Sequence, residues 1–282
     1  MRSRREHAPW STDAQVEQDL VICRAIVEIF SDPLIHDHLA FRGGTALHKL
    51  YLAPPARYSE DIDLVQVEAG PIGNLISALR RALDPWLGPP RRRRSEGRVT
   101  LTYRFESEIP PITPLRLKVE VNTREHFSVY GFVRKPFAVA SPWFQGSKEL
   151  LTYAAEELLG TKLRALYQRS KGRDLYDLSI AISRIPQLDR AKIVKSFERY
   201  IEHQGLHVSR AEFEANLFEK MSDESFHEDM QPLLVPGTFQ AEAFDSTAFQ
   251  TSEVQYDADA AYRQIKKELI ERLPGEPWKG TK

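Results

Sequence analysis

Apolar side chains recur at two different periods along this 282-residue chain. Val16, Leu20, Ile22, Ala25, Ile26 and Ile29 follow a helical spacing, and Ser11 or Thr12 can cap its start, which predicts a helix over residues 12–31. A short segment over residues 39–43 leads into Gly43-Gly44, and a short helix is expected over 45–52, stopped by Pro54-Pro55. Residues 60–67 read as a strand, and residues 71–87 as a helix broken at Pro85 and Gly88. Arg91 to Arg94 follow Pro89-Pro90 and read as a charged loop. Strict alternation then marks strands over 98–106 and 115–123, with a further strand near 133–140. After Pro142 the period becomes helical and stays so, over about 147–168, 173–184, 189–203, 209–221 and 257–273. Residues 231–256 have no clear period and read as a long ordered connection. The change of period divides the chain into an α/β part, residues 1–145, and a mainly helical part, residues 146–282, which makes the class α+β.

Composition narrows the function classes. With 41% hydrophobic residues the chain can bury a substantial core. Basic residues number 39 against 40 acidic, which argues against a uniformly basic nucleic-acid coat and leaves room for a local basic groove. Cys23 is the single cysteine, so no disulfide forms within the chain; it lies in the apolar run Leu20 to Phe30, where a buried, inert thiol is expected. No apolar stretch approaches the about 20 residues that a membrane span needs. Basic residues in Met1 to His7 are followed by no apolar region, so the start does not read as a secretory signal. The expectation is a soluble, cytoplasmic protein.

The chemistry concentrates in carboxylates. On the strand 60–67, Asp61 and Asp63 point to one side while Ile62 and Leu64 point to the other. Two like charges side by side repel, and a divalent cation such as Mg²⁺ removes that repulsion. In Lys118-Val119-Glu120-Val121-Asn122 the valines share one side and Glu120 lies on the other. If the two strands are neighbours, Glu120 joins Asp61 and Asp63 in a three-carboxylate set suited to two metal ions and in-line displacement at phosphorus. Glu120 could then assist deprotonation of an attacking hydroxyl. An ordinary exposed strand face is the alternative for the acid pair alone.

Gly43-Gly44 allows backbone conformations closed to other residues, and Thr45 opens a helix whose free N–H groups favour an anion. No Lys-Ser or Lys-Thr follows at the position that a P-loop requires. In the helical half, Lys162 lies on or beside the apolar stripe of Leu158, Leu159, Leu163 and Leu166, so it must find an anion: a triphosphate or an acidic partner. In Gly172-Arg173-Asp174-Leu175-Tyr176-Asp177-Leu178, Asp174 and Asp177 are neighbours on a helix. Asp174 suits a cap as well as a ligand, whereas Asp177 sits deeper and could pair with Lys162 or Arg173 or touch the substrate.

Taken in order, Gly43-Gly44-Thr45, Asp61-Ile62-Asp63, Glu120, Lys162 and Arg173-Asp174-Leu175-Tyr176-Asp177-Leu178 resemble the AbiEii/AbiGii-type nucleotidyltransferase toxins, which include the MenT toxins. The resemblance spans about residues 40–180 and implies a DNA polymerase β-like nucleotidyltransferase core followed by a helical C-terminal domain that completes the active site. It places nucleotide phosphates on Gly43, Gly44 and Thr45, with Lys162, Arg173 and Asp174 as further nucleotide contacts, and Mg²⁺ on Asp61, Asp63 and Glu120. It ties Lys162 and Asp177 to toxicity. The first motif departs from the family's Gly-Ser; Thr45 would supply the hydroxyl one position later. The implied activity is transfer of NMP from an NTP to the 3′ end of tRNA, which blocks aminoacylation and translation. The implied partner is an antitoxin with a winged-helix DNA-binding region, encoded nearby.

Two other readings stay open: nucleotidylation of a protein hydroxyl by the same site, and a catalytically inert RNA-binding protein on the same fold. Arg91, Arg92, Arg93 and Arg94 are the candidate RNA contacts, with Arg98 and Arg104 nearby, and a solvated loop is the alternative. His36-Asp37-His38 lacks further ligands at zinc spacing and reads as surface. Ser59 reads as a strand-opening residue rather than a nucleophile.

Overall fold

The computed structural model describes residues 10, 12–230, 233 and 256–280. Backbone contacts divide the chain into two units, residues 1–154 and 155–282.

The first unit is built on a seven-stranded mixed sheet in the order β3-β4-β5-β2-β1-β7-β6. Its strands are β1 (Leu39–Arg42), β2 (Asp61–Gln66), β3 (Arg91–Ser95), β4 (Arg98–Glu106), β5 (Pro114–Asn122), β6 (Phe132–Ala140) and β7 (Gln145–Tyr153). β2 runs antiparallel to β1 and parallel to β5, while β1 runs parallel to β7. Among the described residues the sheet is accompanied by the helices α1 (Asp13–Ile29), α2 (Pro33–His38), α3 (Gly43–Leu50) and α4 (Gly73–Leu87). Thr12 and Gln15 form a reciprocal capping box that fixes the start of α1. α1 is buried along most of its length and packs on β2, β5, β6, β7 and α4. Ile62, Leu64, Leu101, Tyr103, Leu117, Val119 and Val121 are buried from the strands. The alternate positions of β4 and β5, including Thr100, Arg104, Arg116 and Glu120, are half-buried or exposed. The sheet is therefore apolar on one side and polar on the other over β3, β4 and β5, which is the alternation seen in the sequence.

The second unit is helical: α5 (Ala155–Gln168), α6 (Gly172–Arg184), α7 (Arg190–Glu202), α8 (Arg210–Met221), the short α9 (Glu224–Glu228) and α10 (Ala258–Glu268), followed by a 3₁₀ turn at Ile270–Arg272. Leu158, Leu159, Leu163 and Leu166 of α5 are buried with Phe197 and Tyr200 of α7 and Phe213 of α8. A Cβ at Gly160 would collide with Ser196, so glycine in mid-helix lets α5 and α7 approach closely. Asp189 and Ser209 cap α7 and α8 through their side chains.

Three expectations change. The helix expected over 147–168 begins only at Ala155; Gln145–Tyr153 is β7, paired with both β1 and β6. Its buried run Leu150-Leu151-Thr152-Tyr153 is short and apolar on both sides, a pattern that fits a helix or a two-sided buried strand equally. The division of the backbone accordingly falls after Ala154 rather than near residue 145. The charged loop at Arg91 to Arg94 is a strand, β3, folded back on β4 through a turn at Glu96-Gly97. A fully exposed edge strand shows no apolar alternation, so period-based reading passes over it. Pro33–His38 is a short helix capped by Asp32 with Pro33 in its first turn. The expected connection over 231–256 lies outside the described residues except at positions 233 and 256.

Candidate active site

The site of the first unit begins where β1 ends. Arg42 precedes Gly43, which has a φ of 80°, a conformation that favours glycine. A Cβ at Gly43 would also run into the carboxylate of Asp63, so the turn and the acid are built against each other. α3 starts at Gly43, and no side chain caps it, which leaves its first N–H groups to a ligand or solvent. Thr45 is buried, and its hydroxyl bonds to Asp61 O at 2.5 Å and to Ser59 Oγ at 2.5 Å. The hydroxyl expected to meet a nucleotide is thus taken up in fastening the helix start to β2. The backbone N–H is what Thr45 still has to offer. Ser59 lies just ahead of β2 with its hydroxyl against that of Thr45.

β2 and β5 are neighbours, and their register sets Asp61 opposite Lys118 and Asp63 opposite Glu120. Arg42 of β1 lies opposite Asp63 on the other side. Asp61, Asp63 and Glu120 therefore share one side of adjacent strands. The Asp63 carboxyl is pushed up from its ordinary range, first by burial and then by the charges of Asp61 and Glu120, while Arg42 and Lys118 pull it down. Lys118, which the sequence pattern left without a role, stands 3.1 Å from Glu120 Oε2 and 3.5 Å from Asp61 Oδ2. Arg98 Nε holds the other Glu120 oxygen at 3.0 Å. Arg42 is itself drawn to Glu125 at 2.6 Å. Lys118 could have been found by its place two residues before Glu120, which puts both on one side of the strand.

These residues fit a hard divalent cation. Mg²⁺ takes oxygen ligands, usually one or two carboxylates completed by water and phosphate. Asp61 and Asp63 supply that pair, and a cation there would offset both the burial and the neighbouring carboxylate charges that raise the Asp63 carboxyl. Among the described residues no three His, Cys, Asp or Glu side chains form a metal group by themselves. Glu120 is held by Lys118 and Arg98 instead of standing free beside the pair. His36-Asp37-His38 is no metal site either: Arg134 occupies His36 and Asp37.

The second unit holds a different cluster. Lys162 Nζ of α5 lies 2.9 Å from Asp174 Oδ1 and 2.8 Å from Asp177 Oδ2 of α6. Both aspartates are fully buried. Arg169, also unassigned from sequence, donates Nε to Asp174 Oδ2 at 2.7 Å and Nη2 to Oδ1 at 2.9 Å. Burial raises the Asp174 carboxyl, but Lys162 and Arg169 outweigh it and hold it below its ordinary range. Arg173 is engaged by Asp229, through its backbone N–H at 3.4 Å and Nε at 3.6 Å. Of the alternatives left open for Lys162, the acidic partner is the one observed; Arg173 and Asp174 likewise have partners within the unit.

The mixed sheet and its flanking helices match the fold of a solved nucleotidyltransferase. The family model described as "Nucleotidyl transferase AbiEii toxin, Type IV TA system" matches residues 24–250, and the chain belongs to that family. Among solved structures, the nucleotidyltransferase toxin MenT4 from Mycobacterium tuberculosis H37Rv is 16% identical, with a TM-score of 0.50, covering 81% of this chain and 92% of that one. JHP933 from Helicobacter pylori is 16% identical, with a TM-score of 0.45, covering 78% of this chain and 94% of its own. A nucleotidyltransferase-fold neighbour from H. pylori is 17% identical, with a TM-score of 0.45, covering 78% and 97%. No curated protein sequence matches the chain. Membership places the protein among nucleotidyltransferase toxins, a family that implies an NTP substrate and an antitoxin partner. Among the described residues no helix is long and apolar enough to cross a membrane.

Proposed function

We propose that this protein is a Mg²⁺-dependent nucleotidyltransferase that moves NMP from an NTP to the 3′ end of tRNA in the cytoplasm, and so blocks translation. The observation that carries the reading is the Gly43 turn built against Asp63, with Asp61 and Glu120 on the same side of adjacent strands. The N–H groups at Gly43, Gly44 and Thr45 would receive the triphosphate, as an uncapped helix start favours an anion. Mg²⁺ bound at Asp61 and Asp63, with Glu120 beside them, would neutralise phosphate charge and lower the pKa of the attacking hydroxyl. The 3′-hydroxyl oxygen then forms a bond to the α-phosphorus while the bond to the bridging oxygen breaks and pyrophosphate leaves. Glu120 takes the hydroxyl proton. Lys118 positions Glu120 and Asp61 by pairing with both. Lys162 and Asp177 have a positioning role inside the helical unit, where they pair at 2.8 Å.

The tRNA acceptor and an antitoxin with a winged-helix DNA-binding region rest on the family resemblance. Purified protein incubated with labelled NTPs, Mg²⁺, total tRNA and total protein tests the reading. Label in tRNA supports it; label in a protein band moves the acceptor to a protein hydroxyl. If no NTP gives transfer and Asp63→Ala is as toxic as wild type, the catalytic reading fails.

A further inference from the structure

We propose that the polar face of β3, β4 and β5 is a track for a single-stranded RNA end, with Arg91, Arg93, Arg104 and Arg116 holding its phosphates. The inference rests on the nucleotidyl-transfer reading and names the surface that brings the acceptor to it.

The strand register places these side chains together. Arg91 lies opposite Thr102 and Arg93 opposite Thr100. Thr100 lies opposite Glu120, and Arg104 opposite Arg116. Glu120 in turn lies opposite Asp63. Opposed residues on neighbouring strands share a face, and alternate residues return to it. All four arginines therefore share the face of the carboxylates. Arg92 and Arg94 lie opposite Leu101 and Val99 and belong to the other face. Three strand spacings separate β2 from β3, roughly 14 Å.

These arginines are also chemically idle. Among the described residues their side chains make no hydrogen bond or ion pair, whereas Arg24, Arg42, Arg81 and Arg134 of the same unit are each held by a carboxylate. Arg104 and Arg116 directly oppose each other, a like-charge pair that destabilises a sheet unless an anion sits between them. Charge on an edge strand also guards against pairing with another chain, which would account for β3. It does not account for Arg104 and Arg116, which lie on two inner strands.

A base has a place as well as the backbone. A cavity of about 550 Å³ is lined by Arg104 and Arg116 together with Gln18, Tyr58 and Glu60. Glu106 also faces it, at the end of β4 farthest from Arg98. Gln18 is 3% exposed; its Nε2 donates to Arg116 O at 2.7 Å, and its buried Oε1 has no partner. An opening of this size can take an unstacked base, the form in which single-stranded RNA is read.

The test is fluorescence anisotropy of a labelled single-stranded RNA oligonucleotide in EDTA without NTP, across a salt series, alongside the labelled-NTP transfer assay. Arg91→Ala/Arg93→Ala and Arg104→Ala/Arg116→Ala are expected to weaken binding about tenfold each and to flatten the salt slope by about 0.7 for each phosphate that is no longer neutralised. Arg92→Ala/Arg94→Ala is expected to bind as wild type does, and circular dichroism melts confirm that all three fold. Equal losses in the 91/93 and 92/94 variants, or wild-type binding in the 104/116 variant, would overturn the track. If wild type still labels RNA in that case, the nucleotidyl-transfer reading stands without it. If wild type neither binds nor labels RNA, both fall.

Discussion

Two carboxylate clusters, one in each unit, look alike in the sequence and are opposites in structure. Asp61 and Asp63 lie on one side of β2 with Glu120 opposite Asp63, and burial first, then the charges of Asp61 and Glu120, drive the Asp63 carboxyl upward. Asp174 and Asp177 are more deeply buried, yet Lys162 and Arg169 over-compensate, and the Asp174 carboxyl is driven downward. The first cluster has more carboxylates than cations, which is the charge balance that the proposed cation and triphosphate would complete. The second satisfies itself. A strained charge balance marks a ligand site, while a closed one marks a structural junction or a positioning element.

The comparison is broken most readily at Asp63. Asp63→Asn removes a carboxylate whose charge is unwelcome in the free protein, so it should cut NMP transfer by about a thousandfold or more while raising stability by about 1 kcal/mol. Paired transfer assays and thermal melts check both signs; a fall in Tm would show that the first cluster is balanced after all. Lys162→Ala should do the reverse in its own unit. It leaves two fully buried carboxylates short of their cation and should cost about 3–5 kcal/mol in urea unfolding. Gly43→Ala should be intermediate, at about 1–3 kcal/mol, because it needs a residue at a φ of 80° and pushes on Asp63.

The smallest effect is in pH. Asp174 has a folded pKa below its unfolded value, so its stabilising contribution is present above the ordinary carboxylate range and is lost as pH falls through the folded value. Asp63 has a raised folded pKa, so its carboxyl favours the fold when protonated, and that contribution is lost as pH rises through the folded value. Asp174→Asn should therefore flatten the acid limb of a urea-stability profile, and Asp63→Asn should steepen it. Identical profiles for the two variants would erase the distinction.

How far the sequence foretold this follows from what each residue needed. Asp61, Asp63 and Glu120 were readable because strand alternation separates them from Ile62, Leu64, Val119 and Val121, which are all buried. That β2 and β5 would be neighbours was a condition there, and the register supplies it, with the two strands parallel. Lys118 and Arg169 were passed over because a lysine or arginine on a strand or helix is ordinary until its partners are placed. Thr45 was read as a ligand hydroxyl because sequence cannot show that Ser59 and the Asp61 carbonyl reach it first. β7 was taken for part of a helix because Leu150 to Tyr153 are buried on both faces, and β3 was taken for a loop because all of it is exposed. In both strands the alternation that betrays a half-buried strand is missing.

The most direct test of the central claim is transfer of labelled nucleotide to total tRNA by wild type and by Asp63→Asn under the same Mg²⁺ concentration. Wild type is expected to label tRNA and Asp63→Asn to give no label above background, although the variant is folded and melts no lower. Equal labelling by the two proteins, or no labelling by wild type with any NTP, would contradict it.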